Sequence, residues 1–148
     1  MKANRFTYRL FVNRPRKTLT VQRFRGLRYQ TVNVYDCAIG TIGHETPGGV
    51  YKIRSHTLDP PWTVPNAQWA IDAGLVPNTV IPGGAPENPI KVAFLQITQD
   101  ASGNVGVHGT ADLKSLGTAA SHGCIRVAPD VAKHLYLVIP RYSRVEIL

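Results

Sequence analysis

Phe6, Tyr8, Leu10 and Val12 alternate with Thr7, Arg9 and Phe11, the period-two pattern of a strand with one face on a core. Asn13-Arg14-Pro15-Arg16 reads as a turn. Leu19 and Val21 continue a second strand, Gly26 breaks it, and a third runs from Val32 to Ile39. Strands joined so tightly read as hairpins. Thr46-Pro47-Gly48-Gly49 is another turn, ahead of a strand from Val50 to Arg54. Val92 to Thr98 and Val105 to Val107 are strands on either side of a turn at Ser102-Gly103-Asn104, the second running into His108. Val145 and Ile147 close the chain as a strand. One helix is predicted, Asp130 to Ile139: Pro129 suits its first turn, Val131, Leu135 and Val138 share a face, and Pro140 ends it.

The stretch from Thr57 to Pro89 breaks this rhythm. It holds seven prolines, several glycines, Trp62 and Trp69. Proline lacks the ladder donor, so few of these residues can join a sheet. The segment reads as a long ordered loop with a helical turn near Ala67 to Ala73. Two tryptophans in it suggest a packed lid or cleft wall. The expected architecture is a single, mostly β domain over residues 1–148, sandwich- or barrel-like, with one short helix and this loop as a lid.

Composition narrows the class. Apolar residues make up 43% and charged residues 18% of 148, an ordinary globular mix that can bury a core. Collagen, coiled coil and a disordered tail are excluded. The longest apolar run, Leu135 to Ile139, is far short of the ~18 residues a membrane span needs. Met1-Lys2-Ala3-Asn4-Arg5 carries charge with no apolar stretch behind it, so no secretory signal is visible. The net charge is +8, and nine basic residues lie between Lys2 and Arg28, before the first acid, Asp36. Such a patch attracts anionic partners, for instance an anionic cell-surface polymer, or is simply a solvated sheet face. No nucleic-acid module accompanies it, so no nucleic-acid partner is expected.

Two cysteines are too few for a disulfide framework. Cys37 lies on the alternating face Asn33-Tyr35-Cys37-Ile39 and reads as a buried small apolar residue. Cys124 sits differently, in Ser121-His122-Gly123-Cys124-Ile125-Arg126, sixteen residues after His108 in Val107-His108-Gly109-Thr110. A free thiol is only a few per cent ionised at neutral pH, so a thiol nucleophile needs a base. His108 and His122 both offer one. The chosen imidazole needs an acceptor on its other nitrogen. Asp112 could serve, although a surface loop suits it better, and a backbone carbonyl such as that of Gly109 would serve equally. Gly123 permits a tight or left-handed turn that could aim the amides of His122, Gly123 and Cys124 at one point, as an oxyanion hole. Arg126 shares the strand face of Cys124. It fits either a substrate carboxylate, through paired hydrogen bonds, or a structural ion pair that props the loop.

These residues resemble a known family. His108-Gly109-Thr110 with Ser121-His122-Gly123-Cys124-Ile125-Arg126 is similar to the signature of the L,D-transpeptidase catalytic domain, also called the YkuD-type domain. Ala38 to Thr41 and Thr46 to Ile53 resemble its strand-turn-strand, Asp130 to Ile139 its helix after the nucleophile, and Arg144 to Ile147 its closing strand. The resemblance implies a mostly β fold with the cysteine in a cleft under a loop lid. It also implies acyl transfer on peptidoglycan stem peptides outside the cytoplasm, with no cofactor and no metal. By match to the motif, Cys124 is the nucleophile, His108 the general base and acid, and the Gly109 carbonyl its orienter. His122 and Gly123 shape the site, and Ser121 and Arg126 are expected to bind substrate. Members are typically acylated by carbapenems. The acceptor can be an amine, giving a 3→3 cross-link or anchoring to the wall, or water, giving an L,D-carboxypeptidase. Many members carry Asn where Arg126 stands, and often a glycine where Tyr142-Ser143 stands. The absent export signal fits a domain trimmed from a longer exported protein. Two readings from other classes remain: a zinc site on His108, His122 and Cys124, disfavoured by their spacing and the lack of a fourth ligand, and a non-catalytic wall-binding module.

Overall fold

The computed structural model describes residues 7–100 and 103–148. Thirteen strands follow in chain order: β1 (Tyr8–Asn13), β2 (Thr18–Arg25), β3 (Arg28–Asp36), β4 (Ile39–Gly40), β5 (Gly49–Lys52), β6 (Ser55–Leu58), β7 (Trp62–Thr63), β8 (Val80–Ile81), β9 (Lys91–Asp100), β10 (Gly103–Gly109), β11 (Ala119–Ser121), β12 (Ile125–Val127) and β13 (Arg144–Ile147). Helix α1 spans Gln68–Asp72 and α2 spans Pro129–Val138. The mostly β expectation holds. Phe6, Lys2, Arg5 and Ser102, named above in the first strand, the basic stretch and a turn, lie outside the described residues.

β1, β2 and β3 form the expected meander, extended by β13 and β5 into a five-stranded sheet of order β3-β2-β1-β13-β5. The alternation has the anticipated cause. Leu10, Val12, Leu19, Val21, Val145 and Ile147 are buried together on one face. A four-stranded sheet, β12-β10-β9-β6, supplies Ala93, Leu95, Ile97, Val107, Ile125 and Val127 to the same core. Helix α2 packs across β9 and β10. Its buried face is Ala132 and Leu135, continued by Ile139 just past its end, with Val131 and Val138 at its edges. The sequence pattern had centred the face on Val131, Leu135 and Val138, so the stripe is rotated by about one residue. Full burial of Leu135 alone stabilises by about 1.5–3 kcal/mol.

The third strand and the proline-rich segment differ in detail from the sequence reading. The third strand ends at Asp36, and Ile39–Gly40 instead pairs with β11. The proline-rich segment contains α1 at the expected helical turn, and also the two-residue ladder of β7 with β8. In the turn before β13, Tyr142 has φ of 69°, the left-handed conformation that glycine adopts at little cost. No helix among the described residues is long and apolar enough to cross a membrane.

Candidate active site

The four-stranded sheet sends alternate side chains to opposite faces. Val107, Ile125 and Val127 point into the core, so their neighbours His108 and Arg126 face the other way. β10 and β12 run parallel with His108 opposite Arg126. Cys124, two residues before Arg126, emerges on that same face. A strand end and a turn 16 residues apart are thereby brought side by side at the floor of one cavity of about 880 Å³. Its walls include Phe94 and Gln96 from β9, Trp62 from β7 and Trp69 from α1. His108, Ser121, His122, Cys124 and Arg126 all line it.

His108 is only 6% exposed. Its Nδ1 lies 2.8 Å from the Gly109 carbonyl oxygen. A carbonyl can only accept, so Nδ1 carries the hydrogen and Nε2 is left as the basic nitrogen. Burial lowers the imidazole pKa to about 4, with a further push from the Arg126 cation, against the opposing pull of the Gly109 bond. His108 is therefore neutral at pH 7, as a proton acceptor must be. Asp112, the other candidate orienter, is exposed in the loop after β10. Gly109 has no room for a side chain: a Cβ there would lie 2.3 Å from the Lys91 oxygen.

The Cys124 thiol is partly exposed and donates weakly to the Asn104 carbonyl at 3.5 Å. Before it, Gly123 has φ of 126°, which side-chain-bearing residues rarely adopt. Ser121 holds this turn: its hydroxyl donates to the Cys124 carbonyl and accepts from the Gly123 amide at 3.2 Å. One expectation is thereby corrected. Ser121 is 1% exposed and its hydroxyl is spent inside the turn, so it does not bind substrate through that group. The Gly123 amide rests on the same hydroxyl.

His122 is exposed at the rim, stacked on Trp69 with ring centroids 3.7 Å apart and planes 6° from parallel. His44 meets its edge at 5.1 Å. Partial burial, then His44 and Arg126, lower the His122 pKa. His56 does not line the cleft. It lies on β6 with its ring against Tyr136 of α2, whereas its neighbours Ser55 and Thr57 face the cavity. Among the described residues Arg126 has no carboxylate partner. The ion pair found there joins Arg144 and Glu146 at 3.4 Å, so the propping role for Arg126 is not realised. Cys37 is fully buried, and burial, aided by Asp36, pushes its thiol up to about 12. No three His, Cys, Asp or Glu side chains among the described residues are grouped as a metal site would need.

Three contributors escaped the sequence reading. Thr46 is 1% exposed. Its hydroxyl donates to the Gly123 carbonyl at 2.8 Å and accepts from the Gly40 amide at 2.9 Å. Asn88 is equally buried. Its side chain donates to the Pro60 and Pro82 carbonyls and accepts from the Ile90 amide, tying both ends of the lid together. Val92, at φ of 73°, forms a bulge in β9 opposite the His108–Gly109 step. Thr46→Val keeps the shape but leaves the Gly40 amide and the Gly123 carbonyl unpaired, at a cost of about 1–3 kcal/mol. Thermal unfolding should show that loss for Thr46→Val and recovery for Thr46→Ser.

A sequence profile of the L,D-transpeptidase catalytic domain (YkuD) matches residues 7–147. YqjB of Bacillus subtilis (strain 168), an L,D-transpeptidase by name, is 31% identical over 116 residues, which are 76% of this chain and 57% of that protein. YbiS of Escherichia coli (strain K12), also so named, is 31% identical over 122 residues, 80% of this chain and 38% of that protein. This chain thus spans roughly two fifths to three fifths of the length of these relatives. The solved structure of the transpeptidase LdtMt1 in complex with imipenem superposes with a TM-score of 0.69 at 19% identity, over 96% of this chain and 59% of that one. That likeness is one of fold.

Proposed function

Because this chain belongs to the L,D-transpeptidase catalytic domain family, we propose that it is a cysteine acyltransferase acting on peptidoglycan stem peptides outside the cytoplasm. The observation that carries this reading is the placement of Cys124 and His108 on one face of the parallel β10–β12 pair, above a cavity of about 880 Å³. His108 Nδ1 is held by the Gly109 carbonyl, so Nε2 takes the thiol proton as Cys124 Sγ attacks the carbonyl of the third residue, a diamino acid, of a donor tetrapeptide. The C–N bond to the terminal D-alanine breaks, and His108 returns the proton to the departing amine. A thioester remains on Cys124. An acceptor amine then attacks it, giving its proton to His108 and thence to sulfur, so that an amide forms and the thiol is restored.

The neutral resting state of His108 suits this sequence, because proton transfer accompanies attack and needs no preformed imidazolium. Arg126, half-buried beside His108 in register and without a carboxylate partner, is suited to the substrate carboxylate. His122 and Trp69 form the rim through their stacked rings. Imipenem is bound by the LdtMt1 structure, and acylation of Cys124 by a carbapenem follows from the same chemistry. Incubation with a disaccharide tetrapeptide, with products read by mass, tests the proposal. A dimer with loss of one D-alanine marks cross-linking, and D-alanine release alone marks hydrolysis. Unchanged substrate overturns the reading.

A further inference from the structure

The cavity carries few ionised groups. His108 and His122 both have lowered pKa values, the first through burial, so neither is charged at neutral pH. Among the described residues lining the cavity, Arg126 is then the cation and Glu87 the one carboxylate. A chain of net charge +8 thus presents an exposed acid on the lid at the edge of its cleft. Glu87 lies in the lid between β8 and β9. Its backbone is fixed from the next residue, because the Asn88 side chain grips Pro60 O at 2.9 Å and Pro82 O at 3.1 Å. The neighbouring base does not neutralise it: Lys91 Nζ is turned onto the carbonyls of Ala85 at 3.3 Å and Pro86 at 3.1 Å. No ion pair involves Glu87 among the described residues. Trp62, Pro61 and Pro89 line the same cavity and offer the apolar and aromatic surroundings in which an ammonium group is held well.

We propose that Glu87 is the docking residue for the ammonium group of the acceptor, a side-chain primary amine of a second stem peptide. The inference rests on the acyl-transfer reading above. Arg126 on the sheet and Glu87 on the lid make the cavity bipolar, matched to ligands that bring one carboxylate and one ammonium. Glu87 is a specificity-determining residue and performs no chemistry. The docked ammonium gives one proton to water to become an amine. Its second proton passes to His108 Nε2 on attack and then to sulfur as the C–S bond breaks.

The test uses the full chain, a disaccharide tetrapeptide as donor, and Nα-acetyl-lysine amide as the amine probe, whose sole ionised group is a side-chain ammonium. Amide product and hydrolysis product are separated by mass across amine concentrations, for the parent, Glu87→Gln and Glu87→Lys. The expected result for Glu87→Gln is a rise of about two- to fivefold in the KM for amine, the size of one exposed charge contact. Donor KM, hydrolysis and carbapenem acylation should be unchanged, and Glu87→Lys should raise the amine KM further. An unaltered amine KM, or an equal loss in acylation by donor, overturns the assignment while leaving Cys124 chemistry intact. A parent that forms no thioester overturns the acyl-transfer reading, and this inference with it.

Discussion

Cys124→Ala is expected to abolish D-alanine release and carbapenem acylation, while Cys37→Ala retains both within about twofold, because only a thiol that can ionise in reach of solvent can act as a nucleophile. The two cysteines are a matched internal control. Cys124 lies at the floor of the cavity, partly exposed, behind a glycine whose backbone conformation fixes the turn. Cys37 is fully buried in the core and stays protonated, its thiol pushed up to about 12 by burial. A Cys124→Ala protein also tests the wall-binding alternative, which predicts unaltered retention on wall fragments and no adduct with either protein.

His108→Gln is expected to slow acylation by about 10²–10⁴-fold, the usual worth of a positioned general base. It should also change the pH dependence of stability, and the sign follows from linkage. The imidazole titrates near its ordinary value of 6.5 in the unfolded chain and at about 4 in the folded one. Between those values the unfolded chain binds more protons, so acid favours unfolding. The contribution is fully present above pH 6.5 and lost as pH falls through the window to about 4, amounting to roughly 3 kcal/mol for this nearly inaccessible group. Denaturant midpoints measured from pH 7 to pH 4 should fall more steeply for the parent than for His108→Gln. Equal slopes would show that His108 is not held neutral by burial.

Much of this site was legible in the chain because its determinants are local. Period-two alternation showed which residues of β1 and β2 face the core, and spacing put Arg126 on the strand face of Cys124; in the fold that face, shared by His108, lies opposite Val107 and Val127. A glycine before the cysteine signalled a turn. What escaped was set by contacts between distant residues. The Thr46 hydroxyl reaches the Gly123 carbonyl across 77 positions, and no spacing rule connects them. Asn88 amid prolines looked like ordinary loop composition, yet its amide gathers carbonyls from both ends of the lid. Ser121 misled because a hydroxyl beside a nucleophile suits a substrate contact and a turn bond equally well. Only the fold shows that the second has taken it. Val92 read as a plain strand residue, since a bulge depends on the register of the neighbouring strand.

The proposed reaction depends on a covalent bond at one sulfur, and peptide mapping of the trapped acyl-enzyme observes that bond directly. Protein quenched in acid during turnover of the tetrapeptide donor should carry one acyl group, lacking D-alanine, on the peptide that contains Cys124. An unmodified Cys124 peptide during active turnover, or an acyl group found on any other residue, would contradict it.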